Sequence, residues 1–207
     1  MSETVGTGRD LSLQATCPYK RPVRTTSFKR MFKMKERKKN RLINFDYSSD
    51  NLYFVTNCTK DNIRCFGEIK NGSMVLNEMG EIAHQQWQWL VERYSYLISH
   101  AFVVMPNHIH GVLEINRGIV GTGRDLSVPP QKIKSLSELM GAYKTTVSKK
   151  IHLLGYDTFA WHRSFYDYII RDRKSFEKIV IYIMNNPLVW NDDTYNYERR
   201  DRSRPVP

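Results

Sequence analysis

The chain has 207 residues, 41% of them hydrophobic, and a formal net charge of +11 at pH 7. This length and apolar content suit one domain with a buried core, and the positive charge favours nucleic acids or anionic membrane surfaces as partners. Because the sequence has no run of about 18 apolar residues and no apolar signal core, we expect no membrane span and a cytoplasmic location.

The first part of the chain is basic and has no apolar periodicity. Positive charge is concentrated in "KRPVRTTSFKRMFKMKERKKNR" (residues 20–41), and we interpret residues 1–45 as a flexible arm that contacts phosphates. A compact domain follows over residues 46–190, with a loop insertion at about residues 117–134, and residues 191–207 form a polar tail. The cations of the arm that we expect to bind nucleic acid are Lys29, Arg30, Lys38, Lys39 and Arg41.

The first predicted elements are a strand, a hairpin and a helix. "LYFVTNCT" (residues 52–59) is β-branched and aromatic, which is typical of a buried strand. "CFGEIKNGSMVLN" (residues 65–77) contains Asn-Gly between two short runs, the strongest local signal for a hairpin. "EMGEIAHQQWQWLVERY" (residues 78–94) predicts a helix, because one apolar face recurs at helical spacing. That face consists of Ala83, Trp87, Leu90, Val91 and Tyr94.

The second half of the domain predicts two strands and two helices. "AFVVMPNHIHGVLEI" (residues 101–115) indicates two strands separated by a Pro-Asn break. "SLSELMGAYKTTVSKKIHLL" (residues 135–154) indicates a helix that a Ser-x-x-Glu capping box opens. "DRKSFEKIVIYIMNN" (residues 172–186) indicates a last helix, which Pro187 ends. Mixed strands and helices with an early hairpin favour an α+β sandwich over a doubly wound sheet.

The sequence "NHIHG" places His108 and His110 two residues apart on a predicted strand. Because side chains alternate along a strand, both imidazoles point to the same face. Two imidazoles on one face can hold a divalent metal, although an isolated His-x-His is more often structural. Such a site also needs a third ligand and an open position for the substrate.

The sequence "YIMNNP" supplies a candidate for the third ligand. Tyr182 and Asn186 are four residues apart on the last predicted helix, so they share one side of it. An amide oxygen suits Mg²⁺ or Mn²⁺, and Tyr182 would then be placed to attack a phosphate. Taken alone, the helix fits equally a half-buried tyrosine and a helix-end asparagine. Tyr166 and Tyr168 are the other candidate nucleophiles.

Together the two motifs resemble the REP-associated tyrosine transposases, which are single-strand transposases of the HUH tyrosine-nuclease class. That class combines His-hydrophobic-His on a strand with Tyr-x-x-x-Asn/Gln on a later helix. "FVVMPNHIHGVLEI", "HRSFYDYIIRD" and "YIMNNPLVW" carry the resemblance, which covers residues 45–190. It implies a ferredoxin-like fold with a central antiparallel sheet. His162 departs from the Gln expected before "RSFYD".

The same resemblance implies a function and a set of site residues. His108, His110 and Asn186 would bind Mg²⁺ or Mn²⁺, and Tyr182 would be the nucleophile. The chain would cut and rejoin palindromic, hairpin-forming single-stranded DNA through a covalent 5′-phosphotyrosine, and it would associate with the nucleoid. Members of the class can be monomers or homodimers. Outside the arm, the residues expected to contact DNA are Lys144, Arg163 and Arg171.

Two other functions fit the same residues. One is a catalytically silent DNA-binding protein of the same fold, and the other is a metal-dependent RNA-binding or RNA-processing protein. The intact histidines and Tyr182 favour the enzyme over the silent protein. Only the resemblance and a repeated peptide favour DNA over RNA.

The repeated peptide is "VGTGRDLS", which occurs at residues 5–12 and again at residues 120–127. Two copies so far apart do not form a repeat architecture, and their Gly, Thr, Asp and Ser content is typical of loops. The codons of this peptide permit the sequence GTAGGGACAGGTCGCGACCTGTCC, in which GGACAGGTCGCGACCTGTCC equals its own reverse complement. We therefore interpret both copies as translated DNA elements of the kind that this family acts on. The alternative is a peptide repeat that arose by chance or has a function of its own.

Overall fold

The computed structural model describes residues 42, 44–118 and 132–196. Residues 1–41 of the basic arm, both copies of the repeated peptide and the end of the polar tail lie outside these residues. The strands of the described chain are β1 (Asn51–Cys58), β2 (Gly67–Lys70), β3 (Ser73–Leu76), β4 (Leu97–Met105), β5 (His108–Ile115) and β6 (Tyr166–Ile170). Its α-helices are α1 (Glu78–Arg93), α2 (Leu136–Leu153) and α3 (Arg173–Asn185).

Four of the strands form one antiparallel sheet in the order β4-β5-β1-β6. The central strand β1 pairs with β5 on one side and with β6 on the other, and β4 pairs with β5. With α1 before β4 and α2 before β6, the chain follows the β-α-β-β-α-β order of ferredoxin-like folds. The predicted α+β ferredoxin-like sandwich is confirmed.

The hydrophobic core lies between one face of this sheet and the helices α1 and α2. Tyr53 and Val55 of β1 point into it, and because side chains alternate, Phe54 and Thr56 point to the opposite face. None of the helices within the described ranges is long and apolar enough to cross a membrane. Buried core residues from the helices and from β5 include Trp87, Leu90, Ile109, Leu113, Leu139, Met140, Tyr143 and Val147.

Gly111 allows α1 to approach β5 closely. A β-carbon on Gly111 would lie 2.4 Å from the Trp87 ring, so any larger residue would push the indole away. The indole stacks on Phe102 with ring centroids 4.3 Å apart, and its N–H donates to Ser99 Oγ over 2.9 Å. This contact fixes the strand that carries His108 and His110 against the core.

The local signals for turns and helix ends are confirmed. Asn71 and Gly72 form the turn between β2 and β3 with φ angles of 50° and 75°, as a two-residue hairpin turn requires. Ser135 and Glu138 form the capping box of α2 through both of its hydrogen bonds. Asp172 caps α3 by accepting from the backbone N–H of Ser175 over 2.8 Å.

Two parts of the sheet were not predicted. The strand β6 is only five residues long and contains the buried Asp167, and pairing with β1 determines it more than any local pattern does. The strand β4 begins at Leu97, four residues before the predicted start. A bulge between Ser99 and Ala101 interrupts the alternation of its side chains, so the sequence pattern does not reveal its first residues.

The third helix α3 lies over β4 and also contacts β5 and β6, and its side chains meet the sheet face opposite α1 and α2. After α3 the chain continues in a 3-10 helix, Pro187–Asp192, which turns it back toward the sheet. The two predicted motifs, the histidines of β5 and the tyrosine and asparagine at the end of α3, therefore lie on one face of the sheet.

Candidate metal and nucleophile site

His108 and His110, called the histidine pair below, lie side by side at the start of β5 and are both buried. Their Nε2 atoms are 3.0 Å apart, and their ring centroids are separated by 4.5 Å. The alternation predicted from the sequence places both on the face that does not carry the core.

Asn107 determines which nitrogen of His108 carries the proton. Its amide N–H₂ donates to the backbone carbonyls of Asn62 and Tyr195, over 3.1 and 2.8 Å. Its oxygen must therefore be the atom that lies 2.8 Å from His108 Nδ1, and that nitrogen is the donor. The lone pair of His108 consequently lies on Nε2 and points at His110.

Thr56 orients the second imidazole. Its hydroxyl lies 2.7 Å from Nδ1 of His110, which is directly opposite it in the pairing of β1 with β5. Burial lowers the pKa of His110 to about 3, and burial followed by the neighbouring His110 lowers that of His108 well below its usual value. Both rings are therefore neutral at pH 7. Either a proton on His110 Nε2 or a cation must lie between the two facing nitrogens.

A carboxylate lies beside the histidine pair, and a buried amide lies near Tyr182. The carboxylate of Asp193 and the two imidazoles place one ligand atom each within 4.8 Å of one another, and all three residues are buried. Asn186 is fully buried, and its amide makes no hydrogen bond of ordinary geometry to a described residue, although it acts on the Tyr182 hydroxyl. Nitrogen and oxygen donors together fit a small divalent cation.

Tyr182 contacts the histidine pair from α3. Its hydroxyl lies 3.3 Å from His110 Nε2, and the two ring centroids are 5.3 Å apart. Burial and then the charge of Asp193 raise the pKa of Tyr182, whereas the Asn186 amide acts in the opposite direction. The phenol is therefore protonated at neutral pH unless a cation or a base stabilises its anion.

The structure brings His108, His110 and Tyr182 together as the motifs predict, with Asn186 one turn beyond Tyr182 on the same helix. Asp193 was not predicted, because residues 191–207 read as a polar tail. Its approach depends on the 3-10 helix that follows α3, for which the sequence gives only the proline as a signal.

Tyr195 also belongs to the segment that we assigned to the tail. Its ring centroid lies 4.6 Å from that of His108, and its backbone carbonyl accepts from the amide of Asn107. The side chain of Asn196 accepts from Arg64 over 2.6 Å and donates to the Trp190 carbonyl over 3.1 Å. The described chain therefore stays packed on the site as far as Asn196.

The predicted nucleic-acid-binding residues are distributed as follows. Lys144 is half-buried, and its ammonium donates to the backbone carbonyls of His162 and Arg163, over 2.6 and 3.2 Å. The side chains of Arg163 and Arg171 are exposed. The arm cations that lie outside the described residues are Lys29, Arg30, Lys38, Lys39 and Arg41.

The buried neutral imidazoles predict acid lability. Below about pH 6.5 the unfolded chain protonates both histidines and the folded chain does not, so the free energy of unfolding falls by up to about 1.4 kcal/mol per pH unit for each. Urea unfolding at pH 7 and pH 5 measures this loss. His110→Gln should reduce the loss, and His162→Gln, which changes an exposed histidine, should not. An equal loss in wild type and His110→Gln would contradict the burial argument.

The Asn107 contacts predict the tautomer of His108. In the metal-free protein, ¹⁵N NMR should show His108 protonated at Nδ1, and Asn107→Ala should abolish that preference because the acceptor is lost. Asn62→Gly is the matched control, because it keeps the carbonyl that Asn107 contacts and tolerates the φ of 56° at that position. An unchanged tautomer in Asn107→Ala would show that another group determines it.

Comparison with known proteins gives one relative and two solved structures. The chain is 32% identical over 167 residues to an uncharacterized protein of Haemophilus influenzae, across 76% of this chain and 91% of that protein. A REP-associated tyrosine transposase bound to a REP hairpin shares 17% identity, with a TM-score of 0.48 over 81% of this chain and 87% of that one. A Deinococcus radiodurans R1 protein proposed to be a transposase also shares 17%, with a TM-score of 0.40 over 72% and 97%.

No protein-family model matches the chain. Both solved structures are described as transposases. The identity and coverage of the Haemophilus influenzae relative are sufficient to show homology. The chain belongs to the same protein family as that relative.

Proposed function

We propose that the chain is a metal-dependent transposase-type nuclease, which cuts and rejoins single-stranded, hairpin-forming DNA through a covalent link to Tyr182. The observation that carries the proposal is the contact of the Tyr182 hydroxyl with the buried histidine pair, 3.3 Å from His110 Nε2. A tyrosine beside two neutral imidazoles, a buried carboxylate and a buried amide is an arrangement suited to metal-assisted phosphoryl transfer.

His108, His110 and Asn186 would hold Mg²⁺ or Mn²⁺, with the carboxylate of Asp193 as a further oxygen donor at the same place. The fit follows from the facing Nε2 atoms and from the buried Asn186 amide. Bound there, the cation would neutralise the charge of a scissile phosphate and lower its repulsion of a nucleophile.

The chemistry of the chain itself concerns Tyr182. Its phenolic oxygen forms a bond to phosphorus while the bond from phosphorus to the 3′ oxygen breaks, and the released 3′ oxygen takes up a proton as a hydroxyl. The bond energy is retained in the 5′-phosphotyrosine, so the reverse step can join the phosphate to another 3′-hydroxyl without ATP. The tyrosine proton would have to pass to a base, and the carboxylate of Asp193, whose charge acts on the phenol, would take it up when it does not ligate the cation.

DNA as the substrate is supported by three observations. The net charge of +11 favours a polyanion, and the solved transposase with the same name as the resembled family was bound to a REP hairpin. The repeated peptide has codons that permit a palindrome, as a translated substrate element would. The full substrate would be a hairpin with an adjoining single strand.

Tyr182→Phe should abolish the covalent adduct and leave hairpin binding within about twofold, because only the nucleophilic oxygen is lost. The measurement is a denaturing gel of the full chain incubated with a labelled hairpin oligonucleotide and Mn²⁺. Tyr168→Phe is the matched control and should still form the adduct. An undiminished adduct in Tyr182→Phe would move the nucleophile elsewhere. Binding without an adduct in the wild type, in any divalent metal, would identify the silent DNA-binding protein instead.

Substitution of the proposed metal ligands should weaken Mn²⁺ binding, which calorimetric titration measures in the absence of DNA. His108→Ala should remove measurable binding, and Asn186→Ala should weaken it by at least about tenfold. Asp193→Asn should weaken it less than Asn186→Ala does. The reverse order would make Asp193 the third ligand, and unimpaired cleavage by the wild type in a chelator would refute the metal role.

A further inference from the structure

A groove of about 880 Å³ lies between α2 and the segment that follows it, apart from the histidine pair. We call it the α2 groove. Its polar and aromatic lining includes Lys144, Lys149, Asp157, Trp161, His162 and Arg163. Nothing in the chemistry of Tyr182 uses these side chains.

One wall of the groove is tied to the end of β1. Trp161 forms an isolated antiparallel bridge with Thr59, and the backbone N–H of His162 donates to the carbonyl of Cys58 over 2.8 Å. This wall is therefore a short extension of the sheet beside its central strand, and backbone hydrogen bonds to that strand hold it in position.

Lys144 ties the two walls together. From α2 its ammonium donates to the carbonyls of His162 and Arg163 on the opposite wall, over 2.6 and 3.2 Å. Because both acceptors are uncharged carbonyls, they do not neutralise the positive charge that Lys144 brings to the groove. The same hydrogen bonds fix the backbone from which the exposed Arg163 side chain extends.

One wall of the groove is linked to the strand of the histidine pair through Cys58, whose carbonyl accepts from the backbone N–H of His162. This residue lies directly opposite His108 in the pairing of β1 with β5. The wall that carries His162 and the strand that carries the histidine pair are therefore joined through this residue of β1.

The groove has the charge and length that suit a nucleic-acid strand. Lys149 and Arg163 are exposed cations along it, with Asp157 as the carboxylate of the lining. From Lys144 to Leu153 the helical wall is about 14 Å long at about 1.5 Å per residue, which matches about four nucleotides of a stacked strand. Cations next to the aromatic edges of Trp161 and His162 are typical of single-strand binding.

We propose that the α2 groove binds the backbone of single-stranded DNA adjoining the phosphate that Tyr182 attacks. Lys149 and Arg163 contact phosphates, and Lys144 is a positioning residue that holds the wall carrying Arg163. The proposal rests on the proposed function for the identity of the strand. It assigns to the groove the single-stranded flank and not the hairpin stem.

The test compares two double variants of the full chain by fluorescence anisotropy. The groove variant is Lys149→Glu with Arg163→Glu, and the control is Lys150→Glu with Lys174→Glu, which reverses two exposed cations outside the groove. The probes are a labelled oligothymidine of about twelve nucleotides and a hairpin without single-stranded ends. Thermal unfolding of each variant verifies that it is folded.

The groove variant should bind oligothymidine at least about tenfold more weakly. The fall of log affinity with log salt should become shallower by about 1.4, because two phosphate contacts are lost. Its affinity for the blunt hairpin should change less than about threefold, and the control should bind both probes nearly as the wild type does. Equal loss on both probes, equal loss in the control, or no loss on oligothymidine would overturn the proposal.

The same protein distinguishes failure of the groove from failure of the nuclease. Tyr182→Phe should bind oligothymidine as the wild type does, since its side chain lies outside the groove. If the wild type binds oligothymidine through the groove but forms no adduct with any DNA, the nuclease proposal fails and the groove stands as a single-strand site. If the adduct forms but the groove variant binds normally, only the groove assignment is lost.

Discussion

The site is built around one electrostatic constraint, the two Nε2 atoms of the histidine pair facing each other at 3.0 Å in a buried environment. Neutral imidazoles cannot present two lone pairs to each other at this distance without a proton or a cation between them. Asn107 and Thr56 make the constraint firm, because they use the Nδ1 atoms and leave only Nε2 for the interior.

The ferredoxin-like sheet meets this constraint because the hydrophobic core lies on one of its faces and the histidine pair on the other. The central strand β1 gives Val55 to the core and Thr56 to the site, so the same strand both stabilises the domain and orients His110. Gly111 admits the Trp87 ring and holds β5 firmly against α1 immediately after His110. The rigidity of the site therefore comes from the core on the opposite face, as a preorganised site requires.

The local part of the site could be predicted from the sequence, and the long-range part could not. Strand alternation places the histidine pair on one face, and helical periodicity places Tyr182 and Asn186 on one side of α3. Asp193 reaches the same place only because a 3-10 helix follows α3, and the tautomer of His108 depends on carbonyls of residues 62 and 195, far from it in sequence. The pairing of β6 with β1 is likewise a tertiary outcome.

The connection between β5 and α2 joins the sheet far from the site. It leaves β5 after Ile115, seven residues or about 23 Å along the strand from His108 at about 3.3 Å per residue. Tyr96 holds both of its ends, because its carbonyl accepts from the N–H of Asn116 over 2.8 Å and its hydroxyl from that of Lys134 over 3.0 Å. With the ends fixed, the entropy of closing the loop rises only slowly with its length, by about 0.6 kcal/mol per doubling. A change in the length of this connection would therefore cost little stability, and it would act at the end of β5 that is remote from the histidine pair.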